Sequence, residues 1–354
     1  MVKINLLKLF GKMGLNVRMR ESEKALLHVL EDISVNLSEA LVMGAVGLVG
    51  RGTVFHTPYK GESDLAASKG GLPFDPSNNH KYAKIIVIGT KQKEETAGLV
   101  AMALERAAHD ALVMVALEND WGGKGLDKLL ASFGCPADHF SKHKSRVVWT
   151  SSSQFADPAT IDKALKAAAL HRRADGEWTE AGVFSFEKLD RGTALLIETL
   201  NKSRADIFTI AGHGADFGCG IGDLSKYILK NFDVVKKLTV IDHDSRAVSC
   251  ARLNLEEFGT RTGALWADIA SNDPLPRGLD FVVMNPPFHQ GKQQRIDLGQ
   301  AFISKAAESL RANSTLLIVA NVHLPYEEKL KEDFKDIMVL QSKDGFKIIQ
   351  AKRK

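Results

Sequence analysis

Cysteine is scarce in this chain, long apolar runs are missing, and no sign of charge dominates. Three cysteines occur among 354 residues, at Cys135, Cys219 and Cys250. They make no Cys-x-x-Cys pair, and no histidine cluster stands at metal-ligand spacing. That argues against a disulfide scaffold and against a structural zinc, and makes a reducing cytoplasm the expected setting. No apolar run approaches the length of a membrane span, so no membrane role is expected. A formal net charge of +4 suits a polyanionic partner, but a solvated surface gives the same sum.

What remains is an ordinary soluble composition, 44% hydrophobic and 25% charged. The length suits two domains. The first 20 residues carry Lys3, Lys8, Lys12, Arg18 and Arg20 and no acid. They read as a basic tail at 1–20. The next half alternates strand-like runs with helical ones. Ala40–Val46, Lys84–Gly89, Ala111–Leu117 and Arg146–Thr150 look like buried strands, with helices expected at Ser22–Leu30 and Glu94–His109. Such alternation predicts a parallel sheet. Gly44, Gly47 and Gly50 have no acid before them and read as turn glycines. The character changes near residue 180, which sets the expected domains at 21–180 and 181–354.

The second half carries the chemistry. Asp216-Phe-Gly-Cys-Gly-Ile-Gly222 places an acid before three glycines at alternate positions, opening a helix to about Asn231. Gly218, Gly220 and Gly222 let backbone approach a ligand closely. A dinucleotide fingerprint would want glycine at 223, where Asp223 stands. Asp216 would repel a pyrophosphate but accept a hydrogen bond from an ammonium. The combination suits S-adenosylmethionine. The next strand ends in Asp242, able to take both ribose hydroxyls, although Asp242 or Asp244 could instead cap a helix. A further strand is expected to end in Asp268, placed to accept the adenine amine. Leu279–Met284 then runs into Asn285-Pro286-Pro287-Phe288. Two prolines stop the strand, and the residue before a proline is held extended, so Asn285 projects from the strand's carboxyl end. An amide, a proline carbonyl and a ring there can hold a planar amine. Asp344-Gly345 between apolar runs predicts a closing hairpin with an antiparallel last strand.

Residues 183–351 resemble the catalytic domain of the bacterial ribosomal RNA guanine-N2 methyltransferases, specifically the small-subunit (16S) enzymes built from two tandem methyltransferase-like domains. The resemblance lies in Val183-Phe-Ser-Phe-Glu-Lys-Leu-Asp-Arg-Gly192, Asp216–Gly222, Asn285-Pro-Pro-Phe-His-Gln-Gly291, Val319-Ala-Asn-Val-His-Leu-Pro-Tyr326 and Gly345-Phe-Lys347. Glu118-Asn-Asp-Trp-Gly-Gly-Lys-Gly125 resembles the family's degenerate first domain more loosely. The strand before the glycine loop departs from the family in being interrupted by Gly212-His-Gly214, and Phe217 stands where a leucine is usual.

The resemblance implies two tandem class I (Rossmann-like) methyltransferase domains. Each has a seven-stranded, mostly parallel sheet with an antiparallel last strand, and the first has lost the cofactor. It implies methylation of the exocyclic N2 of a 16S guanine within the 30S subunit, by a cytoplasmic monomer with no metal. Asn285 and the Pro286 carbonyl would accept the N2 hydrogens and Phe288 would stack on the base. Pro287 and His289 would border the base, and Lys292 and Arg295 would meet phosphates. Alternatives are a 23S guanine-N2 enzyme, methylation of adenine N6 or a protein glutamine, and a non-catalytic RNA-binding assembly factor.

Overall fold

A computed structural model describes residues 19–202, 210–286 and 292–354, without the side chains of 292–295. The basic tail therefore lies almost wholly outside the described residues. The chain divides into two compact units. One takes in the described residues up to His56 with Ala66–Lys163; the other takes in Thr57–Leu65 with Ala164–Lys354.

The first unit is built on β1 (Leu41–Met43), β2 (Val54–His56), β3 (Leu72–Pro73), β4 (Tyr82–Ile88), β5 (Ala107–Glu118), β6 (Asp138–Lys142) and β7 (Ser145–Thr150). They form one sheet in the order β3-β2-β1-β4-β5-β7-β6. β7 runs antiparallel to β5 and β6, and the remaining pairings are parallel. Central strands such as β4 are apolar and buried on both faces, as parallel strands covered by helices must be. Three strands escaped the sequence reading. β2 and β3 are three and two residues long, and β6, Asp-His-Phe-Ser-Lys, is an exposed edge with no alternation to betray it. The alanine-rich helix expected to reach His109 stops at Glu105. Ala107 instead pairs with Tyr82 in the sheet, where tertiary pairing overrides helix propensity.

In the second unit a short hairpin, β8 (His171–Arg172) and β9 (Trp178–Thr179), precedes β10 (Gly212–Phe217), β11 (Val235–Asp242), β12 (Thr262–Trp266), β13 (Leu279–Met284), β14 (Leu310–Asn321), β15 (Phe334–Lys343) and β16 (Phe346–Arg353). The order is β12-β11-β10-β13-β14-β16-β15. β16 is antiparallel to β14 and β15, closing at the Asp344-Gly345 turn. The expected architecture, two tandem seven-stranded sheets, is the one observed.

Gly212-His-Gly214 does not interrupt the central strand; it begins it. Gly212 has φ +74, with a register shift before His213. A Cβ on Gly214 would lie 2.2 Å from the Phe281 ring. The glycine is what lets a fully buried phenylalanine on β13 cross over β10. Phe217 is likewise fully buried, in a cluster with Met284, Phe302 and Leu316.

Candidate active site

β10 and β13 are paired neighbours, Phe217 opposite Met284, so the next residues of each leave the sheet at one edge. The glycine loop and Asn285 are thereby juxtaposed. A Cβ on Gly218 would sit 4.0 Å from the Asn285 carbonyl oxygen. Gly218, Gly220 and Gly222 have φ of +76, +54 and +91, a region that side chains with a Cβ adopt at a cost. Gly222 is the N-cap of the helix Asp223–Asn231. The loop, Asp216, Asn285, Thr193, Ser185 and Phe184 line one cleft. Ser185, a non-glycine at φ +65, is strained at the cleft wall.

Asp216 is 1% exposed, and its Oδ2 accepts a hydrogen bond from Ser225 Oγ at 2.7 Å. Burial, aided by the nearby Asp242 and Asp223 carboxylates and opposed by the Ser225 hydroxyl, pushes its pKa up to about 7. Burial also raises Asp242. Both Asp242 oxygens brace backbone: Oδ2 accepts from Gly220 N and Oδ1 from Asp244 N, each at 2.9 Å. The helix cap that the sequence left open between two acids is Asp244, whose side chain accepts from Arg246 N.

Asp268 lies two residues beyond β12, which ends at Trp266 rather than at the acid. Its Oδ1 accepts from Ala270 N at 3.0 Å, and its own N–H donates to Asp273 Oδ2 at 2.8 Å. It is not among the residues lining the cleft with Asp216 and Asn285. Its Oδ2 instead faces Gly61, where a Cβ would come within 2.9 Å. Gly61 belongs to the Thr57–Leu65 segment of this second unit. That segment is fastened to the tip of β11: Lys60 N donates to the His243 carbonyl at 2.8 Å and Ser245 N to the Pro58 carbonyl at 3.0 Å. Nothing in the sequence pattern announces so distant a partner.

Asn285 Nδ2 donates to Asp190 Oδ2 and to Thr193 Oγ1, both at 2.9 Å. Its Oδ1 is buried and unpaired among the described residues. Asp190 stands in the Val183–Gly192 motif without an expected role, and Thr193, one residue past that motif, has none either. An aspartate three residues before a threonine, opening the helix Arg191–Lys202, is the pattern that could have drawn attention to them. Pro286 is buried beside Asn285. Pro287, Phe288 and His289 lie outside the described residues, and Lys292 and Arg295 fall in the first turn of the helix Lys292–Ser309 with their side chains outside them. Among the described residues no group of His, Cys, Asp and Glu could hold a metal ion, and no helix is long and apolar enough to cross a membrane.

The donor set suits a ligand with a cationic amine. A buried carboxyl stands ready to pair with it, the glycine loop leaves room for close approach, and a free acceptor faces the same edge. Comparison with known proteins agrees. Residues 177–350 match the family Methyltransferase small domain. Ribosomal RNA small subunit methyltransferase C of Pseudomonas paraeruginosa is 33% identical over 276 residues, 77% of this chain and 80% of that protein. Its namesake from Pseudomonas putida is 31% identical over 307 residues, 83% of each. The solved 16S rRNA N2 methyltransferase of T. thermophilus, in complex with AdoMet and guanosine, matches with a TM-score of 0.76 at 19% identity. That match covers 96% of this chain and 94% of the other, a likeness of fold. The chain belongs to the ribosomal RNA small subunit methyltransferase C family.

Proposed function

We propose that this chain methylates the exocyclic N2 of a guanine in 16S rRNA, using S-adenosylmethionine, on the 30S subunit, as a cytoplasmic monomer. The observation that carries the reading is the unpaired, buried Oδ1 of Asn285 beside a glycine loop with a buried aspartate. S-adenosylmethionine, when bound, supplies a methyl group already activated by its sulfonium.

The protein's own part is then placement. Asp216 accepts the cofactor's ammonium, Gly218, Gly220 and Gly222 let the backbone approach it, and Asp242 receives the ribose hydroxyls on its remaining lone pairs. A guanine N2 lone pair is delocalised into the ring. Accepting the two N2 hydrogens at Asn285 Oδ1 and the Pro286 carbonyl turns that lone pair outward, and orientation of this kind is worth several kcal/mol. Phe288 stacks on the extracted base, with Pro287 and His289 beside it, at a flipping cost of a few kcal/mol. Lys292 and Arg295 meet the phosphates and fix register without reading sequence.

The test is methyl transfer from labelled S-adenosylmethionine to 30S subunits, 50S subunits and total protein, followed by nucleoside analysis. Label in N2-methylguanosine from 30S is expected. Label in 50S, in N6-methyladenosine or in protein overturns the substrate.

A further inference from the structure

We infer that Asp190 and Thr193 are positioning residues for methyl transfer, because together they dictate which end of the Asn285 amide faces the substrate. The inference rests on the reading of Asn285 given above. An asparagine amide has two ends of nearly equal size and opposite hydrogen-bonding character. Turned one way it offers an oxygen to the incoming amine; turned the other way it opposes one N–H with another. Sequence specifies only the asparagine, not its orientation.

The surroundings specify the orientation chemically. An ionised carboxylate can only accept, so the end of Asn285 that meets Asp190 Oδ2 at 2.9 Å must be the NH2. Its second hydrogen goes to Thr193 Oγ1 at the same distance. Both donors are spent, and the oxygen is left buried with no described partner. A buried acceptor without a donor is unfavourable, and a docking amine relieves it, so the interaction is made with substrate and not before it.

The clamp is itself anchored. Asp190 Oδ2 also accepts from Thr193 N at 3.0 Å, and the Asp190 carbonyl accepts from Ala194 N at 2.8 Å, which caps the helix Arg191–Lys202. Gly192 leaves the carboxylate its space, since a Cβ there would lie 3.0 Å from Asp190 Oδ2. The amide stands 95 positions from Asp190 and 92 from Thr193 in sequence.

Asp190→Asn separates this role from a structural one. Asparagine caps a helix about as well as aspartate, but its own amide can accept or donate, so the direction of Asn285 is no longer imposed. The expected result is a fall in kcat of about ten- to a hundredfold, with unchanged KM for S-adenosylmethionine and for 30S subunits and an unchanged melting temperature. Thr193→Val lowers kcat in the same way, and Thr193→Ser restores it. On an Asn285→Ala background, Asp190→Asn costs nothing further. A wild-type kcat for Asp190→Asn, or a loss that adds in full to that of Asn285→Ala, overturns the positioning role and leaves the proposed function standing. Wild-type transfer by Asn285→Ala overturns the reading of Asn285 and the inference with it.

Discussion

After its central strand, each unit places a glycine with positive φ, Gly44 at +70 beyond β1 and Gly218 at +76 beyond β10. From there they diverge. In the first unit the turn is filled by the unit's own side chains: Glu23 Oε1 accepts from Gly47 N at 3.1 Å and Glu23 Oε2 from Arg20 N at 2.9 Å. Lys69 Nζ donates to the Val46 and Gly47 carbonyls at 3.1 and 3.3 Å. In the second unit the glycine loop is braced from behind by Asp242, leaving its front open to the cleft. The neighbouring strand ends in Ile88-Gly89-Thr90 in one unit and in Asn285-Pro286 in the other. One strand order thus serves two purposes, and a handful of residues at the strand tips decide which.

Truncating one tip residue in each unit should break the symmetry most sharply. Asn285→Ala is expected to lower kcat by about 10²- to 10³-fold, the scale of losing a preorganised polar group at a reacting centre. Thr90→Ala, at the matching edge of the first sheet, should leave labelled-methyl transfer to 30S subunits at the wild-type rate. Equal losses from both would mean that the first unit shares in the chemistry.

Glu23→Ala reverses the readout. Two backbone donors lose their acceptor, the Gly47 N–H in a buried setting, which costs about 1–3 kcal/mol, measurable as a lowered urea midpoint. Methyl transfer per folded molecule should not change. A loss of turnover without a loss of stability would show that the filled turn contributes more than structure.

A smaller effect separates the two acids by pH. Asp216, with its pKa raised to about 7, holds a proton in the folded state that it would release in the unfolded one. Its contribution to folding is complete below the ordinary value of 3.8 and is lost as pH rises through about 7. Pairing with an ammonium needs the ionised form. Affinity for S-adenosylmethionine should therefore climb with pH up to about 7 and then level off, falling by up to about tenfold per unit on the acid side. Calorimetric titration on both sides of neutrality checks this, and Asp216→Asn should weaken binding and flatten the profile.

The sheets were legible because buried parallel strands are runs of apolar residues, and Lys84–Gly89, Leu238–Asp242 and Leu279–Met284 announce themselves. The glycine loop and Asn285 were legible because their chemistry is compressed into contiguous residues. The clamp on Asn285 was not, since Asp190 and Thr193 stand more than 90 positions upstream and meet the amide only through the fold. Glu23 was equally silent: a glutamate in the first turn of a helix reads as dipole compensation until the fold brings Gly47 against it. The tie between Lys60 and His243 has no local signature at all.

The smallest expected effect concerns Gly50, in the first unit's turn. Among the described residues nothing lies within 4 Å of a Cβ built there, and its φ is outside the left-handed region. Its N–H donates to Thr53 Oγ1 at 3.1 Å and its carbonyl accepts from the same hydroxyl at 2.7 Å, so the backbone is already held in place by the protein. Alanine fits that conformation and narrows the unfolded ensemble, so Gly50→Ala should stabilise the protein by about 0.4–1 kcal/mol. The readout is a modest rise in melting temperature with methyl transfer unchanged. Gly218→Ala, by contrast, places a Cβ at φ +76, 3.5 Å from Phe302 and at the mouth of the cleft, and should weaken S-adenosylmethionine binding. If the two substitutions behaved alike, the first turn would be a ligand loop too. If they differ in sign, the glycines of one unit shape a turn and those of the other make room for a ligand.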